Sequence, residues 1–154
     1  MADSIREQIM QVVVAVLNDT GAPAAVFRGR TDPLEPANLP AIVLLSANRE
    51  SVIEGDDGDS VRRELEISIA AIVGVNPAEG EVIDQKTDPL TNWIVAQLAG
   101  GTLGGLAIEV REVSTSWGPY PSGGREVDYF GARVDFLIVY YTDRADQTAL
   151  GNGD

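Results

Sequence analysis

Apolar residues recur at helical spacing in two parts of this 154-residue chain. The first pattern predicts a helix over residues 5–18, directly after Ser4 and Glu7, which have the spacing of a capping box. The second pattern covers residues 83–98 and ends before two glycines. An Asp-Pro pair inside it is typical of a helix start, so we expect either a kink there or a short helix that leads into a second one.

Alternating or continuous apolar positions predict five strands, at residues 24–30, 41–52, 61–73, 106–118 and 126–142. The stretch Glu54–Ser60, with two glycines among carboxylates, marks a turn, so the strands on either side of it are predicted to form a hairpin. The last two strands form a second hairpin. The order α-β-β-β-α-β-β predicts an α+β fold, in which two helices pack on one face of an antiparallel-dominated five-stranded sheet.

These elements account for residues 1–142, which we interpret as one domain. Residues 143–154 have no apolar pattern that demands a core, and they are predicted to form a flexible C-terminal tail. No apolar run approaches the roughly 20 residues of a membrane-spanning helix, and the N-terminal residues lack the features of a signal peptide. We therefore expect a soluble protein made inside the cell.

The last strand is apolar at every position from Phe136 to Tyr141, so both of its faces need cover. At about 3.4 Å per residue it would extend roughly 60 Å, whereas a compact domain of this length is about 40 Å across. Two explanations stay open. Either a bulge at Gly131 bends the strand, or the hairpin projects and a neighbouring subunit covers Leu137, Val139 and Tyr141. Apolarity on both faces favours the second explanation.

The net charge of the chain is −13, from 24 acidic and 11 basic residues, and Lys86 is its single lysine. Nucleic acid and anionic membranes are poor partners for such a surface. An acidic excess with almost no lysine is typical of adaptation to high salt, where the Debye length falls to about 3 Å at 1 M and crowded carboxylates repel one another less. GC-rich coding, which favours arginine over lysine, explains part of the pattern equally well.

Cysteine and histidine are both absent from the sequence. Their absence removes the thiol nucleophile, the thiolate metal site, the usual general base near neutral pH and every histidine-dependent triad. Most hydrolase chemistry is therefore disfavoured. Because no other catalytic constellation is found in the sequence, we predict that the protein has no enzymatic activity and no cofactor.

The sequence EGDDGD is the strongest ligand-like cluster, with carboxylates at Glu54, Asp56, Asp57 and Asp59. Carboxylate oxygens suit Ca²⁺ or Mg²⁺, but the cluster lacks the sixth-position glycine and twelfth-position glutamate of an EF-hand loop. A solvated hairpin turn is therefore favoured over a metal site.

Two further pairs are candidates for contacts with other molecules. Trp117 and Tyr120, beside a proline-rich turn, are compatible with a sugar-binding platform, but packing of the turn or contact with a partner protein is favoured. Arg28 and Arg30 have strand spacing and could bind an acidic loop of a neighbour, but an ordinary exposed strand face is favoured.

The order of elements and several strand phrases carry a family resemblance: VFRGR, LPAIVLL, RRELEISIAAIV, GTLGGLAIEVREVSTSW and FGARVDFLIVYYT. Through them, residues 4–142 resemble the tail terminator proteins of long-tailed phages, the minor tail protein U group. These phrases contain no invariant catalytic signature.

This resemblance implies a non-enzymatic virion protein that forms a homo-hexameric ring. The ring would cap the last ring of the tail tube protein, stop tube polymerisation and present its other face to a head-completion or neck protein. It would lie at the tail–neck junction of the virion after assembly in the host cytoplasm, and DNA would pass through its lumen without specific binding. The implied candidates for subunit or tube contacts are Arg28, Arg30, Glu54, Asp56, Asp57, Asp59, Trp117, Tyr120, Leu137, Val139 and Tyr141.

Two other functions stay open. One is another head–tail connector or tail-completion ring protein, and the other is a module that binds a small ligand or a divalent metal at the acidic turn and Trp117. The acidic excess departs from an ordinary bacterial phage member and suggests a virus of a salt-loving host, such as a haloarchaeon. An acidic lumen would also repel the DNA that passes through it.

Overall fold

A computed structural model describes residues 2–19, 21–29, 34, 38–53, 58–76, 79–120 and 128–151. Within these residues, two helices and six strands follow one another along the chain. They are α1 (Ile5–Leu17), β1 (Ala25–Arg28), β2 (Ala41–Leu44), β3 (Arg49–Ile53), β4 (Ser60–Val75), α2 (Ile83–Leu98), β5 (Glu109–Tyr120) and β6 (Asp128–Asp143). Neither α1 nor α2 is long and apolar enough to cross a membrane.

The strands form one sheet in the order β1-β2-β4-β6-β5, and β3 pairs with the same side of β4 as β2 does. Only the β1–β2 pair is parallel among the described pairs. The predicted α+β class and order of elements are confirmed. The predicted strand over residues 41–52 is divided into β2 and β3, because residues 45–48 oppose only Ile67 and Ser68 of β4 and interrupt the ladder.

Both helices lie close to their predicted positions. α1 begins as expected, because the Ser4 hydroxyl accepts a hydrogen bond from the Glu7 amide at 3.1 Å. α2 is one element with Pro89 in its interior, so the alternative of a short helix that leads into a second one is wrong. Proline has no N–H, and the carbonyl of Gln85 therefore lacks its usual helical donor.

The length of β6 is matched by β4, which pairs with it at every residue from Asp128 to Asp143. No register shift occurs at Gly131, so the alternative of a bulge there is wrong; the shift lies in β5, between Glu112 and Ser114. The described part of the β5–β6 hairpin does not extend beyond β4. Its turn, residues 121–127, lies outside the described residues.

The larger core lies between the two helices and one face of the sheet. To this core β4 contributes alternate residues from Leu65 to Val75, and β6 contributes alternate residues from Val134 to Tyr140. A smaller core covers one end of the other face, where the Tyr129 hydroxyl donates to the Leu34 carbonyl at 2.9 Å. No described helix covers the rest of this second face.

Residues 144–151, predicted to belong to a frayed tail, return along β6. The Gly151 amide donates to the Tyr141 carbonyl at 3.0 Å, and the Gln147 carbonyl accepts from the Ile5 amide at 2.8 Å. These bonds use backbone groups and need no apolar side chains, which explains why the hydrophobic pattern did not indicate them.

Candidate assembly surface

We call the part of the sheet's second face beyond the smaller core the open face. It comprises side chains from five alternate rows of the ladder, on β3, β4, β6 and β5. Side chains alternate between faces along a strand, so these residues point away from the helices. They are Arg49, Ser51, Ile53, Arg62, Glu64, Glu66, Ser68, Glu109, Arg111, Ser114, Ser116, Arg133, Asp135, Leu137, Val139 and Tyr141.

Charge is balanced on the open face, in contrast to the chain as a whole. The face carries four arginines and four carboxylates, whereas the net charge of the chain is −13. Three of the arginines pair with a carboxylate two residues away on the same strand: Arg62–Glu64 at 3.0 Å, Arg133–Asp135 at 2.9 Å and Arg111–Glu109 at 3.9 Å. Exposed pairs contribute little to stability, so their main effect is to make this surface locally neutral.

Asp135 links three strands at the centre of the open face. Its carboxylate accepts hydrogen bonds from Ser68 at 2.5 Å, from Arg133 at 2.9 Å and from Ser114 at 3.1 Å. Burial tends to raise the pKa of Asp135, but these three donors outweigh it and lower the pKa below its usual value. Because both carboxylate oxygens accept bonds within the sheet, we interpret Asp135 as a structural link.

The apolar residues of the open face differ in how much of them is exposed. Val139 is only 2% exposed within the single chain, flanked on adjacent strands by Glu64 and Glu109. The expectation that a neighbouring subunit must cover it is therefore wrong, since the subunit itself buries this side chain. Leu137 and Tyr141 are half-buried, so partner contact at these two residues stays a prediction.

Trp117 lies on the helix-facing side of β5, where a hydrogen bond fixes its ring. Its indole N–H donates to the Thr87 hydroxyl of α2 at 3.1 Å, although 55% of the residue is exposed. Beside the ring is a groove of about 510 Å³, which we call the Trp117 groove. Its lining residues are Asp84, Gln85, Asp88, Pro89 and Trp117.

Arg28, a predicted contact residue, already has a partner within the chain. Its guanidinium donates to both carboxylate oxygens of Glu7. The hydrogen bond from Arg28 is the main cause that lowers the pKa of Glu7 to about 2. Arg30, predicted together with Arg28, lies outside the described residues.

The acidic turn is described only at its end, because residues 54–57, which include Glu54, Asp56 and Asp57, lie outside the described part. Asp59 is exposed, and its carbonyl accepts a hydrogen bond from the Arg144 amide at 2.6 Å. No group of three or more acidic side chains among the described residues is arranged to hold a metal ion. Tyr120 is half-buried and packs against the smaller core.

Sequence reasoning missed two features. Glu50 accepts hydrogen bonds from Arg6 at 2.5 Å and from the Tyr140 hydroxyl, and so connects α1 with β3 and β6. Burial is the main cause that raises the pKa of Tyr140. The acidic lining of the Trp117 groove was also missed, although Asp84 and Asp88 have the four-residue spacing that puts two side chains on one side of a helix.

Comparison with known proteins gives a structural likeness alone. No known protein family matches the sequence, and no curated protein matches it. The fold is similar to that of one chain in the solved structure of the virion of a native gene transfer agent particle. The TM-score is 0.50 and the sequence identity 12%, and the match covers 88% of this chain and 90% of that one. The two chains therefore share a fold over almost their whole lengths.

Proposed function

We propose that this chain is a structural protein of a virion and acts as its tail terminator. The observation that carries the proposal is the shared fold with a chain of a gene transfer agent virion, which extends over 88% of this chain and 90% of the other. Because the likeness extends over nearly the full length of both chains, it relates whole subunits and is not confined to a motif that unrelated proteins share. The resemblance of the strand sequences to those of tail terminator proteins supports the more specific role of tail terminator.

The open face supports a protein that makes contacts with other subunits. A chain of net charge −13 repels its own copies over most of its surface. On the open face this repulsion is reduced, because its four carboxylates are balanced by four arginines. Leu137 and Tyr141 add apolar area to this neutral surface, and we assign them to a subunit or tube contact.

In this proposal the protein assembles into a ring, hexameric in the resembled family, at the junction of tail and neck. One side of the ring meets the tail tube protein and stops its growth, and the other side meets a head-completion or neck protein. DNA passes through an acidic lumen that repels it. The acidic surface adapts the protein to a salt-rich host cytoplasm, where it is assembled.

Reconstitution with tube subunits tests this role. We expect tubes polymerised with the purified protein to stop growing and to carry extra density at one end. The matched control is Leu137→Asp, which adds one charge to the open face and should weaken capping. Tubes that keep the same length distribution with and without the wild-type protein would contradict the proposal.

Another head–tail connector is the second candidate, because the fold likeness to a virion chain does not distinguish one ring of the neck from another. Isolation of tails before heads attach separates the two candidates. A terminator is expected on free tails, whereas a connector that belongs to the head is expected on isolated heads.

A further inference from the structure

The Trp117 groove has the chemistry of a site for a cation. The exposed face of an indole ring attracts positive charge through its quadrupole, and Asp84 and Asp88 add two carboxylates beside it. Gln85 and Pro89 of α2 complete the lining. A planar guanidinium fits this set best, because it stacks on an aromatic ring and donates to carboxylates at the same time.

The ring of Trp117 is held in place before any partner arrives. Its N–H bond to Thr87 joins β5 to α2, and the Thr87 hydroxyl in turn donates to the Ile83 carbonyl at 3.0 Å. A fixed ring loses less side-chain entropy on binding than a mobile one. More than half of Trp117 is nonetheless left exposed to solvent.

Arg49 is the complementary group on the same chain. Among the described residues its side chain makes no ion pair or hydrogen bond, whereas each of the other open-face arginines pairs with a carboxylate. It is exposed at the beginning of β3, where it lies opposite Glu66 in the ladder. The long side chain can therefore reach a neighbour without breaking a bond inside its own subunit.

Arg49 and the Trp117 groove lie at opposite edges of the sheet. Along this part of β4 the strand order is β3-β4-β6-β5, so β3 forms one edge and β5 the other. They also lie on different faces, since Trp117 is on the helix side and Arg49 on the open face. A single subunit cannot bring them together, but two subunits in head-to-tail order can.

We propose that the Trp117 groove of one subunit binds Arg49 of a second copy of this chain. Such a contact joins two different surfaces, and a repeated head-to-tail contact closes into a ring when its rotation allows. It places a cation between carboxylates that would otherwise add to the repulsion between acidic subunits. This inference rests on the proposed ring and identifies its lateral contact.

Charge exchange between the two sites tests the contact. Subunit association is measured by light scattering for the wild type, for Arg49→Glu, and for Arg49→Glu combined with Asp84→Arg. Both residues are exposed and have no side-chain partner among the described residues, so each variant should keep its cooperative melt. The matched control combines Arg49→Glu with Glu79→Arg, which makes the same charge change at an exposed site outside the groove.

We expect Arg49→Glu to weaken association by about tenfold or more, and Asp84→Arg to restore it while Glu79→Arg does not. Unchanged association of Arg49→Glu would overturn the contact and leave the ring proposal standing. Equal rescue by Asp84→Arg and Glu79→Arg would also overturn it, because net charge alone would then explain the effect. A wild-type protein that stays monomeric at every concentration would instead overturn the ring itself, and this contact with it.

Discussion

Arg28 donates hydrogen bonds to both carboxylate oxygens of Glu7, at 2.7 and 2.6 Å, although 21 positions separate the two residues in the sequence. The pair joins β1, an edge strand of the sheet, to the first turn of α1. Bidentate geometry makes it a stronger link than a single contact between flexible side chains. The pair also engages Arg28, which the sequence predicted as a contact for another subunit.

The Glu7–Arg28 pair should make stability depend on pH in the acid range. The pKa of Glu7 is about 2 in the folded chain against an ordinary value of 4.5. Its contribution is therefore complete above about pH 4.5 and is lost as the pH falls toward 2. Because both side chains are more than one-third exposed, we expect less than about 1 kcal/mol.

Urea unfolding of the wild type and of Glu7→Gln at pH 7 and near pH 2 measures this contribution. The wild type should be the more stable protein at pH 7, and the difference should shrink in acid. The matched control is Glu112→Gln, at an exposed carboxylate without an ion pair among the described residues. A difference that is the same at both pH values would show that Glu7 acts through something other than its charge.

Val139 and Leu137 should respond differently to the same substitution. Val139 is 2% exposed, so Val139→Asp buries a charge without a partner and should cost several kcal/mol of the free energy of unfolding. Leu137 is half-buried, so Leu137→Asp should keep a cooperative melt and lose subunit association instead. Thermal unfolding and light scattering on both variants check this. Equal loss of stability would mean that Leu137 belongs to the core of the subunit.

Gly151 should be intolerant of any side chain. A Cβ atom built there would lie 2.6 Å from the Thr142 carbonyl oxygen and 2.7 Å from the Ser60 hydroxyl. Gly151→Ala should therefore displace the segment after β6 and cost on the order of 1 kcal/mol. Gly21→Ala is the control, since its Cβ would meet nothing within 4 Å.

Hydrogen exchange gives the local readout for Gly151→Ala. The amide of residue 151, which donates to the Tyr141 carbonyl at 3.0 Å, should exchange faster in the variant than in the wild type. Unchanged protection would show that the C-terminal segment is not held by this close approach.

Salt should stabilise the protein if its acidic surface is a halophilic adaptation. Self-repulsion among the 24 acidic residues is screened in molar KCl, where the Debye length is about 3 Å. We expect the melting temperature or the assembled fraction to rise between low salt and molar KCl. Equal stability in both solutions would show that the acidic excess does not adapt the protein to high salt.

Much of the fold could be predicted because its elements follow simple periodicities. Ser4 and the amphipathic spacing after it predicted α1, and the alternation from Leu65 onward predicted β4. The division between β2 and β3 was missed because residues 45–48 interrupt the ladder by register, which one strand cannot reveal without its partner. The return of residues 144–151 was missed because backbone bonds hold it.

The candidate surfaces depend on tertiary neighbours, so the sequence identified only part of them. The sequence identified Trp117 as a candidate contact residue. It did not indicate that the carboxylates of Asp84 and Asp88 on α2 lie beside it. The sequence predicted that a neighbouring subunit covers Val139, because apolarity alone does not distinguish a face that flanking side chains bury from one that a partner covers. The balanced charge of the open face emerges only when β3, β4, β5 and β6 are placed in register.

Assembly into a ring is the central claim, and electron microscopy of the purified wild-type protein in molar KCl tests it most directly. We predict closed rings of a single copy number, with a central opening and subunits joined in head-to-tail order. Images that contain only dispersed single subunits, at every protein and salt concentration, would contradict the claim.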